Sequence, residues 1–241
     1  MKTELEKIRR ETEGYSASKL LADMASRFEG KIALASSMSA EDQVVTHMLH
    51  EHRLPVRIFT LDTGRLPQET YDTIEATNKK YGIQIKILFP DYHLVETIVN
   101  QKGPNLFYQS RENRKLCCNV RKVIPLRREL SSLGAWITGL RREQSLTRDV
   151  LERLEWDEGN ELIKINPLAD WKTEQIWDYI RSHDIPYNVL HDQGYPSIGC
   201  APCTRAVGDA ADIRAGRWWW ESPIQKECGL HNGAEAAEKR R

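Results

Sequence analysis

The stretch Lys31-Ile-Ala-Leu-Ala35, Ser36-Ser-Met-Ser-Ala40, Glu41-Asp-Gln-Val-Val45 decides the fold class. A short apolar run is followed by a polar loop. The loop leads into a segment with two acidic residues at its start, where the dipole of a helix favours negative charge. These three pieces predict a buried strand, a loop and a helix, in that order.

The same order of strand, loop and helix returns along the chain. A second strand is predicted over 56–61, followed by the loop Asp62-Thr-Gly-Arg-Leu66 and a helix that begins at Pro67, where proline suits the first turn. Further strands are predicted over 84–89, 135–138 and 162–165, and further helices over 18–28, 92–101, 118–130 and 173–183. This alternation favours an α/β fold with a mostly parallel sheet flanked by helices.

The composition changes after Pro186, where glycines and prolines interrupt any regular pattern. We therefore predict an α/β domain over 1–205 and a loop-rich, mobile C-terminal segment over 206–241. The charged residues from Ala234 onward are expected to be frayed.

The overall charge excludes two classes of partner. Thirty-five Lys and Arg residues balance thirty-five Asp and Glu residues, so no global positive field attracts nucleic acid or an anionic membrane. No stretch approaches the roughly 18 apolar residues of a membrane span, and the charged N-terminus is unlike a signal peptide. We expect a cytoplasmic protein whose anion sites are built locally.

The five cysteines divide into four plus one. Cys117 and Cys118 are adjacent, Cys200 and Cys203 form a Cys-x-x-Cys pair, and Cys228 stands apart. A disulfide framework is not expected in a reducing compartment, so metal binding or catalysis is the better interpretation.

Three interpretations of the two pairs stay open at this point. Adjacent cysteines cannot easily present both sulfurs to one tetrahedral zinc ion, which usually takes short Cys-x2-4-Cys arms. Neighbouring thiolates can bind different irons of a larger cluster, and we favour an iron–sulfur cluster for that reason. Buried free thiols are common for single cysteines but explain two pairs poorly.

Basic residues surround the cysteine pairs. Arg121 and Lys122 lie within a helical turn of Cys117 and Cys118, and Arg214 and Arg217 follow the second pair. Arginine suits bidentate recognition of phosphate or sulfate, and the compact charge of Lys122 suits a position between a negative cluster and an anionic substrate. A solvated basic helix face explains Arg127 and Arg128 equally well.

Two loops and one late cysteine complete the candidate site. Ser36 and Ser37 begin a loop at a helix N-terminus, which predicts either an anion site or a plain polar turn, with the plain turn favoured on this pattern alone. Leu61-Asp-Thr-Gly64 lies where its backbone can reach a purine edge at the end of a strand. Cys228 lies in Glu227-Cys-Gly-Leu-His231, behind the anchoring run Trp218-Trp-Trp220, and His231 is placed to support a thiolate.

From about Ser36 to His231 the sequence resembles the assimilatory adenylyl-sulfate reductases, relatives of the phosphoadenylyl-sulfate reductases. The motifs that carry the resemblance are 61–67, Cys117-Cys118 with Arg121-Lys122, Thr138-Gly-Leu-Arg-Arg-Glu-Gln-Ser145, Ile198-Gly-Cys-Ala-Pro-Cys-Thr204 and 227–231. The resemblance implies an adenine-nucleotide alpha-hydrolase-like fold of the pyrophosphatase-loop type in the domain 1–205. The loop at Ser36 lacks the lysine of the ATP-cleaving members, which argues against ATP cleavage.

The resemblance also implies the site residues. Cys117, Cys118, Cys200 and Cys203 would hold one 4Fe-4S cluster per subunit, and Cys228 would attack the substrate. The substrate-binding residues would be Ser36, Ser37, Leu61, Asp62, Gly64, Lys122, Arg148, Arg214, Arg217 and His231. The four cluster cysteines favour adenylyl sulfate over the 3′-phosphorylated nucleotide.

The predicted reaction is reduction of adenylyl sulfate to sulfite and AMP, a step of sulfate assimilation and cysteine biosynthesis. The enzyme S-sulfocysteine would be resolved by a separate thioredoxin or glutaredoxin-like dithiol, because a dithiol releases sulfite by attack at sulfur. We also expect a homo-oligomer. The alternatives are a phosphoadenylyl-sulfate reductase, an ATP-dependent thiolation enzyme with structural zinc, and a cysteine-rich binding module without catalysis.

Overall fold

A computed structural model describes residues 2–144, 151–207 and 212–221 of the chain. Six strands form one sheet in the order β3-β2-β1-β4-β6-β5. Neighbouring strands are parallel except β5 and β6, which are antiparallel. The strands are β1 Ile32–Ser36, β2 Arg57–Leu61, β3 Lys86–Leu88, β4 Ala135–Ile137, β5 Leu154–Asp157 and β6 Leu162–Ile165.

Helices cover both faces of the sheet. Alternate residues of β1 point to opposite faces, so Ile32 and Leu34 pack in the core with α2, α3 and α8, whereas Ala33 packs with α7 on the other side. The helices are α1 Lys2–Glu11, α2 Ala17–Arg27, α3 Ala40–Glu51, α4 Gln68–Tyr81, α5 Tyr92–Lys102, α6 Arg111–Cys118, α7 Ile124–Leu130 and α8 Thr173–Ser182. Within the described ranges, no helix is long and apolar enough to cross a membrane.

The predicted mostly parallel sheet between helices is confirmed, with two additions. Helix α1 and the edge strand β5 were not expected. Strand β5 has only four residues, Leu-Glu-Trp-Asp, and its pairing with β6 is supported by an ion pair of 3.1 Å between Glu155 and Lys164. Such a short alternation gives too weak a periodic signal to predict a strand.

The helix predicted over 118–130 begins earlier and is not uniform. Ser110 caps α6 by accepting a hydrogen bond from the Asn113 N–H at 3.1 Å, so the helix begins at Arg111. A π-helix over Asn119–Val123 then separates α6 from α7. The cysteine pair therefore lies at the end of a helix and not at the start of one.

The strand order creates a crevice beside β1. From β1 the chain proceeds through β2 to β3 on one side, and then returns to β4 and β6 on the other side. The carboxyl ends of β1, β2 and β4 meet at this switch point, which is where parallel α/β sheets bind ligands.

Candidate functional site

A cavity of about 740 Å³ opens at the carboxyl ends of β1, β2 and β4. Ala35 and Ser36 line it from β1, Thr60 and Leu61 line it from β2, and Thr138 lines it just beyond β4. We call it the central cavity.

The loop over residues 36–42, which we call the Asp42 loop, binds the carboxylate of Asp42, one of its own residues. One carboxylate oxygen of Asp42 accepts hydrogen bonds from the Ser37 N–H at 2.6 Å, the Ser37 hydroxyl at 2.7 Å and the Ser39 hydroxyl at 3.1 Å. The other oxygen accepts the Gly139 N–H at 3.0 Å. Burial raises the pKa of Asp42, and the hydrogen bonds from Ser37 oppose that shift.

Two interpretations were given for this loop, an anion site and a plain polar turn. The observed hydrogen bonds match the plain polar turn. The N–H and hydroxyl of Ser37 are engaged by Asp42, and the hydroxyl of Ser36 accepts the Met38 N–H at 3.1 Å. Ser36 and Ser37 also line the central cavity, and their contact with a substrate stays a prediction.

The loop after β2 is shaped by hydrogen bonds of its own side chains. Asp62 accepts the Gly64 N–H at 2.7 Å and the Tyr71 hydroxyl at 3.0 Å, and Gly64 has a φ of 69°, a conformation that glycine adopts without strain. The residues of this loop that line the central cavity are Leu61 and Thr63. Asp62 and Gly64 shape the loop through these hydrogen bonds, and their contact with the substrate stays a prediction.

The two cysteine pairs come together in one apolar cluster, which we call the cysteine end. Cys117 and Cys118 end α6, while Cys200 precedes a one-turn 3-10 helix that ends at Cys203. All four pack in a cluster that includes Phe107 and Trp218, and none of them forms a disulfide. Burial raises the pKa of Cys203 to about 12 and also raises the pKa of Cys117.

The spacing of these sulfurs can be compared with that of a tetrahedral zinc site. Four thiolates at about 2.3 Å from one tetrahedral zinc ion lie about 3.8 Å apart. Within the described part of the chain, no three of the four sulfurs lie within 4.8 Å of one another. Four soft thiols in one cluster are the donor type that zinc and iron–sulfur centres both take.

Two cations connect the cysteine end with the central cavity. Lys122 lines the cavity, and its positive charge opposes the rise in the pKa of Cys203. Arg121 donates a hydrogen bond of 2.7 Å to the Thr63 carbonyl and another to Cys117. Both residues belong to the π-helix, which is a frequent feature of functional sites because it changes the direction of side chains within a helix.

Arg214 and Arg217 also line the central cavity, and both guanidinium groups lie against the Trp218 ring of the cysteine end. Arg217 is buried and donates to the Ser197 hydroxyl at 3.3 Å and the Ile198 carbonyl at 3.2 Å. A Cβ atom at Gly199 would overlap the Arg217 guanidinium, so this arginine reaches the cavity only because residue 199 is glycine.

Trp218 anchors the segment that carries these arginines. Its ring is 1% exposed, and the guanidinium carbons of Arg114, Arg214 and Arg217 lie 4.6, 5.5 and 4.9 Å from it. The backbone N–H of Trp218 donates to the Cys203 carbonyl at 3.2 Å. The prediction that the tryptophan run anchors this region is confirmed for Trp218.

Three predicted site residues, Arg148, Cys228 and His231, lie outside the described residues. The predicted division at 205 and 206 likewise depends on the C-terminal segment, of which residues 212–221 are described. Residues 212–221 contact the rest of the chain through the Arg114–Glu221 ion pair of 2.7 Å, among other contacts.

Several cavity residues were missed. Arg141 is buried and donates to Glu41 at 2.8 Å, and its other guanidinium nitrogen donates to Glu143 at 2.9 Å. His191 also lines the cavity, and burial lowers its pKa. Arg141 lies within the motif 138–145, so that motif was the available signal, whereas nothing in the sequence marks His191.

Comparison with known proteins gives one family. Residues 31–206 match the phosphoadenosine phosphosulfate reductase domain. The chain is 51% identical over 220 residues to the adenosine 5′-phosphosulfate reductase of Allochromatium vinosum, covering 91% of this chain and 86% of that protein.

Solved structures agree on the fold. The phosphoadenylyl-sulfate reductase of Candida auris, in its phosphate complex, superposes with a TM-score of 0.71 at 25% identity, covering 86% of this chain and 98% of that one. The FMN adenylyltransferase of Candida glabrata gives a TM-score of 0.53 at 16% identity, covering 93% and 75%. The second likeness concerns the fold alone, which is of the adenine-nucleotide alpha-hydrolase type.

Proposed function

The chain belongs to the phosphoadenosine phosphosulfate reductase family, and from that premise we propose that it reduces adenylyl sulfate to sulfite and AMP in sulfate assimilation. The choice of adenylyl sulfate is supported by the 51% identity to a protein named for that substrate. Identity to the phosphoadenylyl-sulfate reductase of known structure is only 25%.

One observation carries the proposal. A cavity at the switch point of the sheet is lined by three cations, Lys122, Arg214 and Arg217, and both Lys122 and Arg217 act electrostatically on Cys203 of the cysteine end. A nucleotide bound with its base along β1 and β2 would direct its phosphosulfate toward these three cations. They would offset the charge of the leaving AMP where it develops.

The chemistry follows from thiol reactivity. The Cys228 thiolate attacks the sulfonyl sulfur, an S–S bond forms, and the S–O bond to the AMP phosphate breaks with its electron pair leaving on AMP. The product is an S-sulfocysteine on the enzyme. A thiolate of an external dithiol then attacks the Cys228 sulfur, sulfite leaves, and the second thiol of the dithiol releases Cys228 and ends as a disulfide. His231 and Arg148 are proposed to bind the substrate beside Cys228.

The cofactor of this proposal is one 4Fe-4S cluster per subunit, held by Cys117, Cys118, Cys200 and Cys203. When bound, the cluster would fix the two cysteine segments relative to each other and polarise the adjoining cavity. Lys122 would lie between that negative centre and the phosphosulfate and hold the substrate there. The external reductant would be a thioredoxin or glutaredoxin-like protein. We further propose that the enzyme is cytoplasmic and homo-oligomeric.

The deciding experiment locates the covalent intermediate. The full chain with intact cluster is incubated with adenylyl sulfate without reductant, digested and analysed by mass spectrometry. One added sulfonate is expected on the peptide that contains Cys228, and thioredoxin should then release one sulfite. Cys228→Ser should keep the iron–sulfur absorption and bind adenylyl sulfate, but it should form no adduct because a serine hydroxyl stays protonated near neutral pH. An adduct on another cysteine would refute the assignment.

Two competing functions predict different measurements on the purified protein. A phosphoadenylyl-sulfate reductase would show an equal or higher kcat/KM with the 3′-phosphorylated nucleotide. An ATP-dependent thiolation enzyme with structural zinc would be colourless and would consume ATP. The absence of lysine from the Asp42 loop speaks against the second alternative.

A further inference from the structure

A second group of potential ligand side chains lies away from the central cavity. His47 and Glu51 are one turn apart near the end of α3, and His183 directly follows α8. One ligand atom from each lies within 4.8 Å of the other two. We propose that His47, Glu51 and His183 form a binding site for one divalent transition-metal ion, with Zn²⁺ as the best match.

Each imidazole uses its Nδ1 atom in contacts with its own surroundings, and the Nδ1 atom of His183 also lies 2.9 Å from the Ser182 hydroxyl. The Nδ1 atom of His47 lies 3.2 Å from the Tyr81 hydroxyl, and the Nδ1 atom of His183 lies 2.9 Å from the Tyr179 carbonyl. A metal-binding histidine usually holds its second nitrogen in such a hydrogen bond, which fixes the ring and leaves the other nitrogen to the metal. The Nε2 atom of His47 fits this description, because it is buried and has no hydrogen-bond partner within the described ranges.

The distances are close to those of a tetrahedral site. Nitrogen and oxygen ligands at about 2.0–2.1 Å from zinc lie about 3.3 Å apart. The His47 Nε2 atom is 3.8 Å from the nearer Glu51 oxygen, and the rings of His47 and His183 have centroids 4.9 Å apart. The Glu51 side chain is 47% exposed, so it can approach without displacing the core.

The ligand set selects the kind of metal. Two imidazoles and one carboxylate suit zinc and its transition-metal neighbours, whereas magnesium and calcium prefer oxygen ligands throughout. The exposed side of Glu51 leaves room for a water molecule as the fourth ligand.

One nearby cation works against metal binding, and the protein reduces its effect. The ammonium of Lys80 donates hydrogen bonds to the carbonyls of His183 and Asp184 and lies 3.7 Å from the Asp184 carboxylate. These contacts hold Lys80 on the backbone side of His183 and partly neutralise its charge. The Glu51 carboxylate would offset one of the two charges of the ion.

A metal at this position would join α3 to α8. Helix α3 begins at Ala40, within the Asp42 loop, so the ion would fasten the far end of an element that builds the central cavity. Binding to the folded state alone would stabilise the protein by mass action.

The test uses the full chain with its iron–sulfur cluster loaded. Zn²⁺ is titrated against a chromophoric chelator, and the wild type is compared with His47→Ala, His183→Ala and Glu51→Gln. Each variant is expected to bind this Zn²⁺ at least about tenfold more weakly. The control His93→Ala, which removes an exposed histidine from α5, should bind like the wild type.

Thermal unfolding gives the second measurement. Added Zn²⁺ should raise the Tm of the wild type and of His93→Ala, but not that of the three site variants. His183→Ala and Glu51→Gln change partly exposed side chains, so they remain informative even if His47→Ala disturbs the fold. Equal Zn²⁺ affinity in the wild type and in His183→Ala and Glu51→Gln would overturn the proposal, since any binding would then belong to another site such as a cysteine.

Discussion

The cysteine end and the Asp42 loop both place reactive or charged groups in the interior, and they differ in how those groups are satisfied. In the Asp42 loop, four donors from the protein surround one carboxylate. At the cysteine end, four thiols lie in an apolar cluster in which burial raises the pKa of Cys203 to about 12. The loop is therefore complete within the polypeptide, whereas the cysteine end has the composition of a site that is completed by a metal centre.

This difference predicts that the two regions fail in different ways. Loss of a cysteine ligand should remove both a cofactor and the structure that depends on it, because metal binding and folding are coupled. Loss of an acceptor in the Asp42 loop should lower the free energy of unfolding only by what the hydrogen bonds of that acceptor contribute. The following predictions test this contrast, from the largest expected effect to the smallest.

The largest effect is expected for Cys203→Ser. A serine hydroxyl does not replace a buried thiolate ligand, so the variant should lose its iron, its absorption near 400 nm (roughly, from thiolate-to-iron charge transfer) and much of its stability. Iron content and chemical denaturation measure both losses. Cys228→Ser is the matched control and should retain iron. A Cys203→Ser protein with full iron content would show that Cys203 is not a ligand.

Lys122→Ala should reduce turnover far more than it reduces stability. A cation that contacts a developing charge commonly contributes about 2.7–4 kcal/mol to the barrier, which corresponds to a loss of about 10²- to 10³-fold in kcat. Iron content and unfolding midpoint should stay close to those of the wild type. Lys102→Ala, at the exposed end of α5, is the control. A loss of less than tenfold with the cluster intact would contradict the bridging role.

Asp42→Asn should destabilise the Asp42 loop without loss of iron. The amide keeps one acceptor oxygen and turns the other position into a donor, so either the Gly139 N–H or the Ser37 N–H loses its acceptor. The free energy of unfolding should fall by about 1–3 kcal/mol, and the KM for the nucleotide should rise. Asp91→Asn is the matched control, because Asp91 caps α5 at the surface and asparagine caps a helix equally well. Equal losses of unfolding free energy in Asp42→Asn and Asp91→Asn would contradict the prediction that the Asp42 loop depends on its carboxylate.

The smallest expected effect is on how the free energy of unfolding depends on pH. Burial lowers the pKa of His191, and its Nε2 atom has no hydrogen-bond partner within the described ranges. The unfolded chain then binds a proton more readily than the folded chain, so this contribution to stability is present at neutral pH and is lost as the pH falls below about 6.5. In urea unfolding between pH 7.5 and 5.5 (roughly, spanning the histidine range), His191→Gln should reduce the slope of stability against pH. His93→Gln should leave it unchanged, and identical slopes in all three proteins would contradict the prediction.

Much of the fold could be predicted because its signals are local. The strand near Ile32 and the helices α3 and α8 lie within two residues of their predicted bounds. Strand β5 was missed, since its four residues owe their conformation to pairing with β6. The early start of α6 was also missed.

The candidate site was predictable in its chemistry but not in its contacts. The four cysteines, Lys122, Arg214 and Arg217 have residue types that indicate metal or anion binding in any context. His191 carries no such signal, because only its position in the folded chain makes it part of the cavity, whereas Arg141 lies within the motif 138–145 and could have been found there. Asp62 and Gly64 are predicted to contact the substrate from their position after a strand, and the hydrogen bond between them, which shapes the loop, could not be predicted from that position.

The sequence by itself determined the α/β class, the division of the cysteines into four plus one, and the family to which the chain belongs. Only the tertiary structure decided that Asp42 is the anion held by its loop, that Gly199 leaves room for the Arg217 guanidinium, and that the two cysteine pairs meet in one cluster. The physical reason is sequence distance. Periodicity and residue type are properties of neighbouring residues, whereas Asp42 and Gly139 meet across 97 positions and only the folded sheet brings them together.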